Sequence, residues 1–267
     1  MTDMKIHQTA IIAKEAQIDK TAVIGPYCII GPRVKIKKNV KLHAHVNIDG
    51  DTLIGEECEI FPFASIGTKP QDLKYAGENS QVIIGKNNVI REYSTVNAGT
   101  KLGNMKTIIG DDCLLMISSH VAHDCIVGNN VILANNATLA GHVEVANNVI
   151  IGGLAAIHQH VRIGCHAIIG GMSAVAKNVP PYANIAGDRA KIVGINLIGM
   201  KRHNFQRSVI YEVQKLYDNI FFKHNAQVLK EKIKSAKTNF SSAAATDIFK
   251  FIETVNNRGF CQSEDRK

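Results

Sequence analysis

The chain has 267 residues, 45% hydrophobic and 20% charged, which suits one large globular domain with an appendage or two modest domains. Its formal net charge of +8 favours an acidic or phosphorylated partner, but no Lys/Arg block interleaved with aromatics marks a nucleic-acid surface. No stretch approaches the roughly 20 apolar residues of a membrane span and no basic-then-apolar leader opens the chain, so a cytoplasmic protein without a membrane span is expected.

From Ile12 onward every sixth residue is aliphatic: Ile12, Ile18, Ile24, Ile30, Ile36, Leu42, Ile48, Ile54, Ile60 and Ile66. The series resumes in phase at Ile84, runs to Val96, restarts at Ile109 and continues without failure to Val175. In ten of these hexads a glycine follows the aliphatic residue, as in Ile24-Gly25 and Ile163-Gly164. Two places before it stands a small or β-branched residue. Cys28, Cys58, Cys113 and Cys125 occupy that slot, and none of the six cysteines forms a CxxC pair. They read as packing residues, not as zinc or redox ligands.

A period of six fits neither a helix nor one long strand. It fits short strands joined by tight turns, with one aliphatic knob pointing inward from each flat side. Three hexads close a triangular coil, and parallel coils stack about 4.8 Å apart. The predicted fold is mainly β: a left-handed parallel β-helix of hexapeptide repeats with a C-terminal α-helical domain. The hand comes from the repeat class and is an exception to the usual right-handed crossover.

Two interruptions break the period, at 68–81 (TKPQDLKYAGENSQ) and 98–107 (AGTKLGNMKT). The first keeps the phase and the second shifts it by one. Both are expected to leave the coil as surface loops. The repeat ends near Val175, and the segment KNVPPYANIAGDRAKIVG predicts an extended exit. Beyond it, Phe205, Val209, Val213 and Leu216 are spaced for one helical face. Two more helical segments are expected at Ala226 to Lys237 and Ala243 to Val255. The domain boundary is drawn between residues 187 and 188, with the helical tail capping the open strand edges.

Asp124, His142 and His160 are each eighteen residues apart and so fall in one column on successive coils. His123, His158 with Gln159, and His120 lie beside that column. Because the aliphatic knobs fill the interior, these side chains are expected on the outside. Histidine is the side chain best placed to move a proton at neutral pH. Three readings remain open at this point. Histidines from neighbouring coils can bind zinc with an open position for water, as in hexapeptide-repeat carbonic anhydrases. One histidine can instead act as general base in acyl transfer to a sugar hydroxyl or amine. A backbone N–H such as that of Gly141 would then meet the oxyanion. A non-catalytic scaffold is the third.

The runs QDLKYAGE, HVAHDC, LANNATLAGHV, IHQ, GGMSAVA, NVPPY and GINLIGMKR closely resemble the UDP-N-acetylglucosamine O-acyltransferases, over almost the whole chain. That family opens lipid A biosynthesis. It moves an (R)-3-hydroxyacyl chain from acyl carrier protein to the glucosamine 3-hydroxyl of UDP-N-acetylglucosamine. The resemblance implies a homotrimer with its site in the cleft between two solenoids. It implies His123 as general base, Asp124 as its orienting partner, Gly141 as oxyanion donor and His142 as a sugar contact. Asp72 and Lys74 would touch sugar and phosphate, and His120, His158, Gln159, Asn196 and Arg202 would line the same cleft. Ile168 and Gly171 would gauge the acyl chain. No metal or redox cofactor is implied, since the donor arrives on the phosphopantetheine arm of an acidic carrier protein. Two positions depart from the pattern. Asn97 stands near the sugar where many relatives carry histidine, which sets the 3-amino sugar beside the expected 3-hydroxyl acceptor. His203 stands where a second arginine is common.

Overall fold

A computed structural model describes residues 6–222, 236–254, 258–261 and 263. Strands β1 (Ile11–Ile12) to β25 (Ala174–Val175) are two to four residues long and wind as a three-sided parallel coil. The first face has nine strands, the second eight and the third ten. Each residue pairs with one eighteen positions on, as Ile12 does with Ile30 and Leu115 with Leu133. The first ejected loop widens that step, pairing Ser65 with Thr95, and the second pairs Thr95 with His120. The parallel β-helix expected from the six-residue period is the one observed.

The period has a simple packing cause. Each two-residue strand sends one side chain in and one out. The inward residues, from Ile24 through Leu139 to Val175, are almost fully buried. Burying each such side chain contributes about 1.5–3 kcal/mol. The small slot is buried too. Cys28, Cys58, Cys113 and Cys125 carry free thiols that donate to backbone carbonyls of the coil. Burial pushes the Cys58 and Cys113 thiols up to about 11 and the Cys125 thiol up to about 12.

Tight corners force many residues into the left-handed region, among them Tyr27, Asn39, His45, Asp124, His142 and His160. Most L-residues adopt it only at a cost of roughly 1–2 kcal/mol. It turns the chain without a long loop, and it sends the corner side chain outward. Corner rings therefore stack along one edge: Tyr27, His45, Phe63 and Tyr93 follow one another at 5.0 to 5.1 Å.

The exit segment becomes β26 (Ala183–Ala186) and β27 (Lys191–Ile195), an antiparallel pair that extends the third face. Helices α1 (Leu197–Arg202), α2 (Arg207–Tyr217) and α3 (Ala243–Glu253) follow. The face of α2 is Ile210, Val213, Leu216 and Tyr217. Phe205, expected on that face, precedes the helix and packs edge-on against His166 and Tyr182. Of the expected segment Ala226 to Lys237 only Ala236 and Lys237 lie among the described residues, and Val255 lies outside them. The tail is fastened to the solenoid by Tyr182 Oη donating to Asp247 of α3 at 2.9 Å and by Tyr217 Oη donating to the Pro181 carbonyl. Among the described residues no helix is long and apolar enough to cross a membrane.

Candidate active site

The histidine column sits at the corner between the first and second faces. The His142 N–H donates to the His123 carbonyl at 3.0 Å, and the His160 N–H to the Gly141 carbonyl at 3.1 Å, so the corners stack directly. Asp124, His142 and His160 hold equivalent left-handed positions (φ 59°, 60° and 62°). The rings of His142 and His160 stack with centroids 4.4 Å apart, and His123 meets His142 edge-on at 5.0 Å.

His123 Nδ1 lies 3.0 Å from Asp124 Oδ2. A carboxylate accepts only, so the Nδ1 proton is fixed there and the Nε2 lone pair is free for chemistry. The expectation that Asp124 faces outward holds only in part. It stands outside the coil, yet it is 1% exposed because the second ejected loop folds over it. Its oxygens accept the Thr100 N–H, the Thr100 hydroxyl at 2.6 Å and the Asn104 N–H at 2.9 Å. Burial alone would raise its pKa. The hydrogen bonds from Thr100 and His123 outweigh that and hold the carboxyl below its ordinary value, so it is ionised at neutral pH. His142 Nδ1 reaches to 4.0 Å of the same oxygen. Burial lowers the pKa of His142 and His160, keeping both rings largely uncharged at pH 7.

Gly141 packs flat against His123, where the ring occupies the space that a side chain would need. Its N–H makes no hydrogen bond to another described residue. It is thus an open donor beside the histidine, suited to a developing oxyanion. His120 Nδ1 is 2.7 Å from Thr95 Oγ1, and burial, with His123 nearby, lowers its pKa.

These groups open into a cleft of about 800 Å³ lined by His120, His123, Gly141, His142, Gln159 and His160, with Asn97 at one side. The first ejected loop forms another wall through Gln71, Asp72, Leu73 and Lys74, and Leu102 of the second loop completes it. An Asx turn shapes the first loop, with Asp72 Oδ1 accepting the Lys74 N–H. Glu78 joins the two loops by accepting the Lys101 N–H. Asn97 is 4% exposed, and its Oδ1 has no partner among the described residues.

Within one chain the other expected residues lie elsewhere. Asn196, Arg202 and Ile168 line a separate pocket of about 500 Å³ at the end of the third face, together with His203. The Asn196 side chain caps α1 by accepting the Gly199 N–H, while its amide donates to the His166 carbonyl. His158 is exposed, as is Gly171, and neither lines the cleft. The resemblance gave no role to His160 or to Thr100. The eighteen-residue spacing signalled the first, and no periodicity signals the second.

Nitrogen and oxygen atoms of His123, Asp124 and His142 lie within 4.8 Å of one another, close enough in principle to share a metal ion. The donor set argues against it. Asp124 already receives N–H and O–H donors from Thr100, Asn104 and His123, and a cation would have to displace them.

A family model described as UDP-N-acetylglucosamine O-acyltransferase, domain 2, matches residues 178–261, and one described as bacterial transferase hexapeptide (six repeats) matches residues 106–141. The chain is 52% identical to an acyl-[acyl-carrier-protein]–UDP-N-acetylglucosamine O-acyltransferase of Rickettsia conorii, over 99% of this chain and 100% of that one. The chain belongs to the UDP-N-acetylglucosamine O-acyltransferase family. A relative of the same description from Thermodesulfovibrio yellowstonii is 49% identical, over 97% and 99% of the two chains. The solved UDP-N-acetylglucosamine acyltransferase of Campylobacter jejuni superposes with a TM-score of 0.91 at 38% identity, covering 97% of this chain and 100% of that one. The coil is the left-handed β-helix of this family.

Proposed function

We propose that the chain transfers an (R)-3-hydroxyacyl group from acyl carrier protein to the glucosamine 3-hydroxyl of UDP-N-acetylglucosamine, the first step of lipid A biosynthesis, with His123 as general base. The observation that carries the mechanism is the trio of a buried, ionised Asp124, a His123 ring oriented by it, and Gly141 packed against that ring with an N–H that has no partner among the described residues. His123 Nε2 takes the proton from the 3-hydroxyl as that oxygen attacks the thioester carbonyl. The carbonyl oxygen gains the charge and accepts from Gly141 N–H. The tetrahedral intermediate collapses by breaking the carbon–sulfur bond, and the imidazolium returns its proton to the phosphopantetheine thiolate. The chemistry calls on no resident metal or redox group.

Asp72 and Lys74 face the sugar and its phosphates from the first loop, with Asn97, His120, His142 and Gln159 as further acceptor contacts. O-acyl transfer is favoured over the 3-amino alternative, because it is the reaction named for the relatives. The working form is a homotrimer. Supporting this, Val89, Leu114, Ile132, Ile150 and Ile168 form an in-register, half-exposed aliphatic ladder on the third face, and Leu53, Ile83, Ile108 and Ile126 another on the second. Two such faces suit a closed head-to-tail ring. In that ring the pocket of Asn196 and Arg202 on one chain would complete the histidine cleft of its neighbour. His158 would reach the same cleft from its rim. Ile168 and Gly171 would then border the acyl groove, the small Gly171 leaving room for a longer chain. The excess positive charge suits an acidic carrier, and the cytoplasm is where both substrates would be met.

The test is acyl transfer from 3-hydroxyacyl carrier protein to UDP-N-acetylglucosamine by wild type and a folded His123→Ala. Collapse of transfer in the variant supports the base. Wild-type protein that acylates only the 3-amino sugar would overturn the acceptor.

A further inference from the structure

The second ejected loop, residues 98–105, contributes only Leu102 to the cleft wall, yet it makes most of the contacts to Asp124. Thr100 is 2% exposed. Its hydroxyl donates to Asp124 Oδ2 at 2.6 Å, the same oxygen that faces His123 Nδ1 at 3.0 Å. Its N–H reaches both carboxylate oxygens, at 3.1 and 3.0 Å, and the Asn104 N–H takes Oδ1 at 2.9 Å. Gly103 lies flush against the group, since a Cβ there would sit 2.2 Å from Asp124 Cγ. The terminal torsion of an aspartate is soft and has two broad minima. Three donors from one loop, with a glycine pressed on the carboxylate, remove that freedom and fix which oxygen His123 meets.

The loop is itself held at three points. Gly99 packs on the Lys106 backbone, the Ala98 N–H donates to the Thr68 carbonyl at 3.2 Å, and the Lys101 N–H donates to Glu78 of the first loop. The socket is therefore continuous with the loop that carries Asp72 and Lys74.

We infer that Thr100 is a positioning residue for the reaction, and that the Thr100–Asn104 segment is a socket that sets Asp124, and through it the His123 ring, for proton transfer. The inference rests on the reading of His123 as the base. It gives the second insertion a task, because Thr100 and Asn104 supply the N–H and O–H donors to the Asp124 carboxylate other than His123.

Steady-state kinetics of Thr100→Val and Thr100→Ser test it, each variant checked for an unchanged melting temperature. A lost hydrogen bond to a charged group predicts a kcat about tenfold lower in Thr100→Val, with the KM for the UDP-sugar within about twofold. Thr100→Ser keeps the donor and recovers kcat to within about threefold. In an Asp124→Ala background, Thr100→Val costs nothing further, since it acts through the missing carboxylate. A Thr100→Val enzyme with wild-type kcat, beside an inactive His123→Ala, overturns the inference alone. So do effects of Thr100→Val and Asp124→Ala that simply multiply. Transfer surviving in His123→Ala removes the base and overturns both. Should Thr100→Val fail to fold, Gly103→Ala presses on the same carboxylate and must lower kcat likewise, and an unaffected kcat there counts against the socket.

Discussion

Gly141 and His123 are packed so closely that a Cβ built on the glycine would lie 2.4 Å from the ring's Cε1 and 2.6 Å from its Nε2. Gly141→Ala must therefore move either the ring or the backbone N–H beside it. A displacement of about 1 Å in such a pair costs on the order of 10²-fold in rate. The expected result is that loss in kcat with an unchanged melting temperature, measured by transfer assay and thermal unfolding. An alanine variant with wild-type kcat would show that neither group needs its present position.

Asp124→Asn keeps the size of the side chain but adds two N–H donors where those of Thr100, Asn104 and His123 already converge. At least one donor pair must then face each other. The His123 tautomer is no longer enforced, and a kcat loss on the order of 10⁴-fold is expected, as for other oriented histidines. Comparing kcat with KM checks it, because the cost falls on the proton-transfer step and not on sugar binding.

His166 is expected to make the fold less stable in acid. Its ring is stacked on Tyr182 and met edge-on by His203 and Phe205. Burial first, and His203 second, pull its pKa down to about 4, with Asp247 opposing. The unfolded chain binds the proton near pH 6.5, so between about 6.5 and 4 the unfolded state holds more protons and folding weakens as the pH falls. The full shift is worth at most about 3 kcal/mol. His166→Phe should flatten the dependence of the urea midpoint between pH 7 and pH 4 relative to wild type. Parallel pH curves would assign the lability to other groups.

The inward residues carry the fold. Leu139 is fully buried, and Leu139→Ala should cost about 2–5 kcal/mol in urea unfolding. Ile11 points outward with 66% exposure, and Ile11→Ala should stay within about 0.5 kcal/mol. Equal costs at the two positions would contradict a single inward column as the source of stability.

The solenoid was legible because its period comes from geometry: one inward residue per flat side leaves a mark every six residues. The histidine column was legible for the same reason, and the eighteen-residue spacing of Asp124, His142 and His160 places them on stacked corners. Thr100 was not legible. It meets Asp124 across 24 residues through an insertion with no period of its own. Phe205 fitted a helical spacing, yet its ring is claimed by His166 and Tyr182 before the helix begins. Asn196 and Arg202 came with the resemblance as partners of His123, but one chain places them in a different pocket. Sequence order does not record which groups two copies would bring together.

The thiols of the packing slot have a practical consequence. Cys28, Cys58, Cys113 and Cys125 sit at successive heights of the coil, all buried, and all raised in pKa by that burial. A thiol in that state reacts with an alkylating reagent only after its own level has opened. Each level of stacked repeats contacts only its neighbours, so levels can open locally and separately. The four cysteines therefore serve as built-in clocks, and the order of their alkylation would record the order in which the solenoid frays.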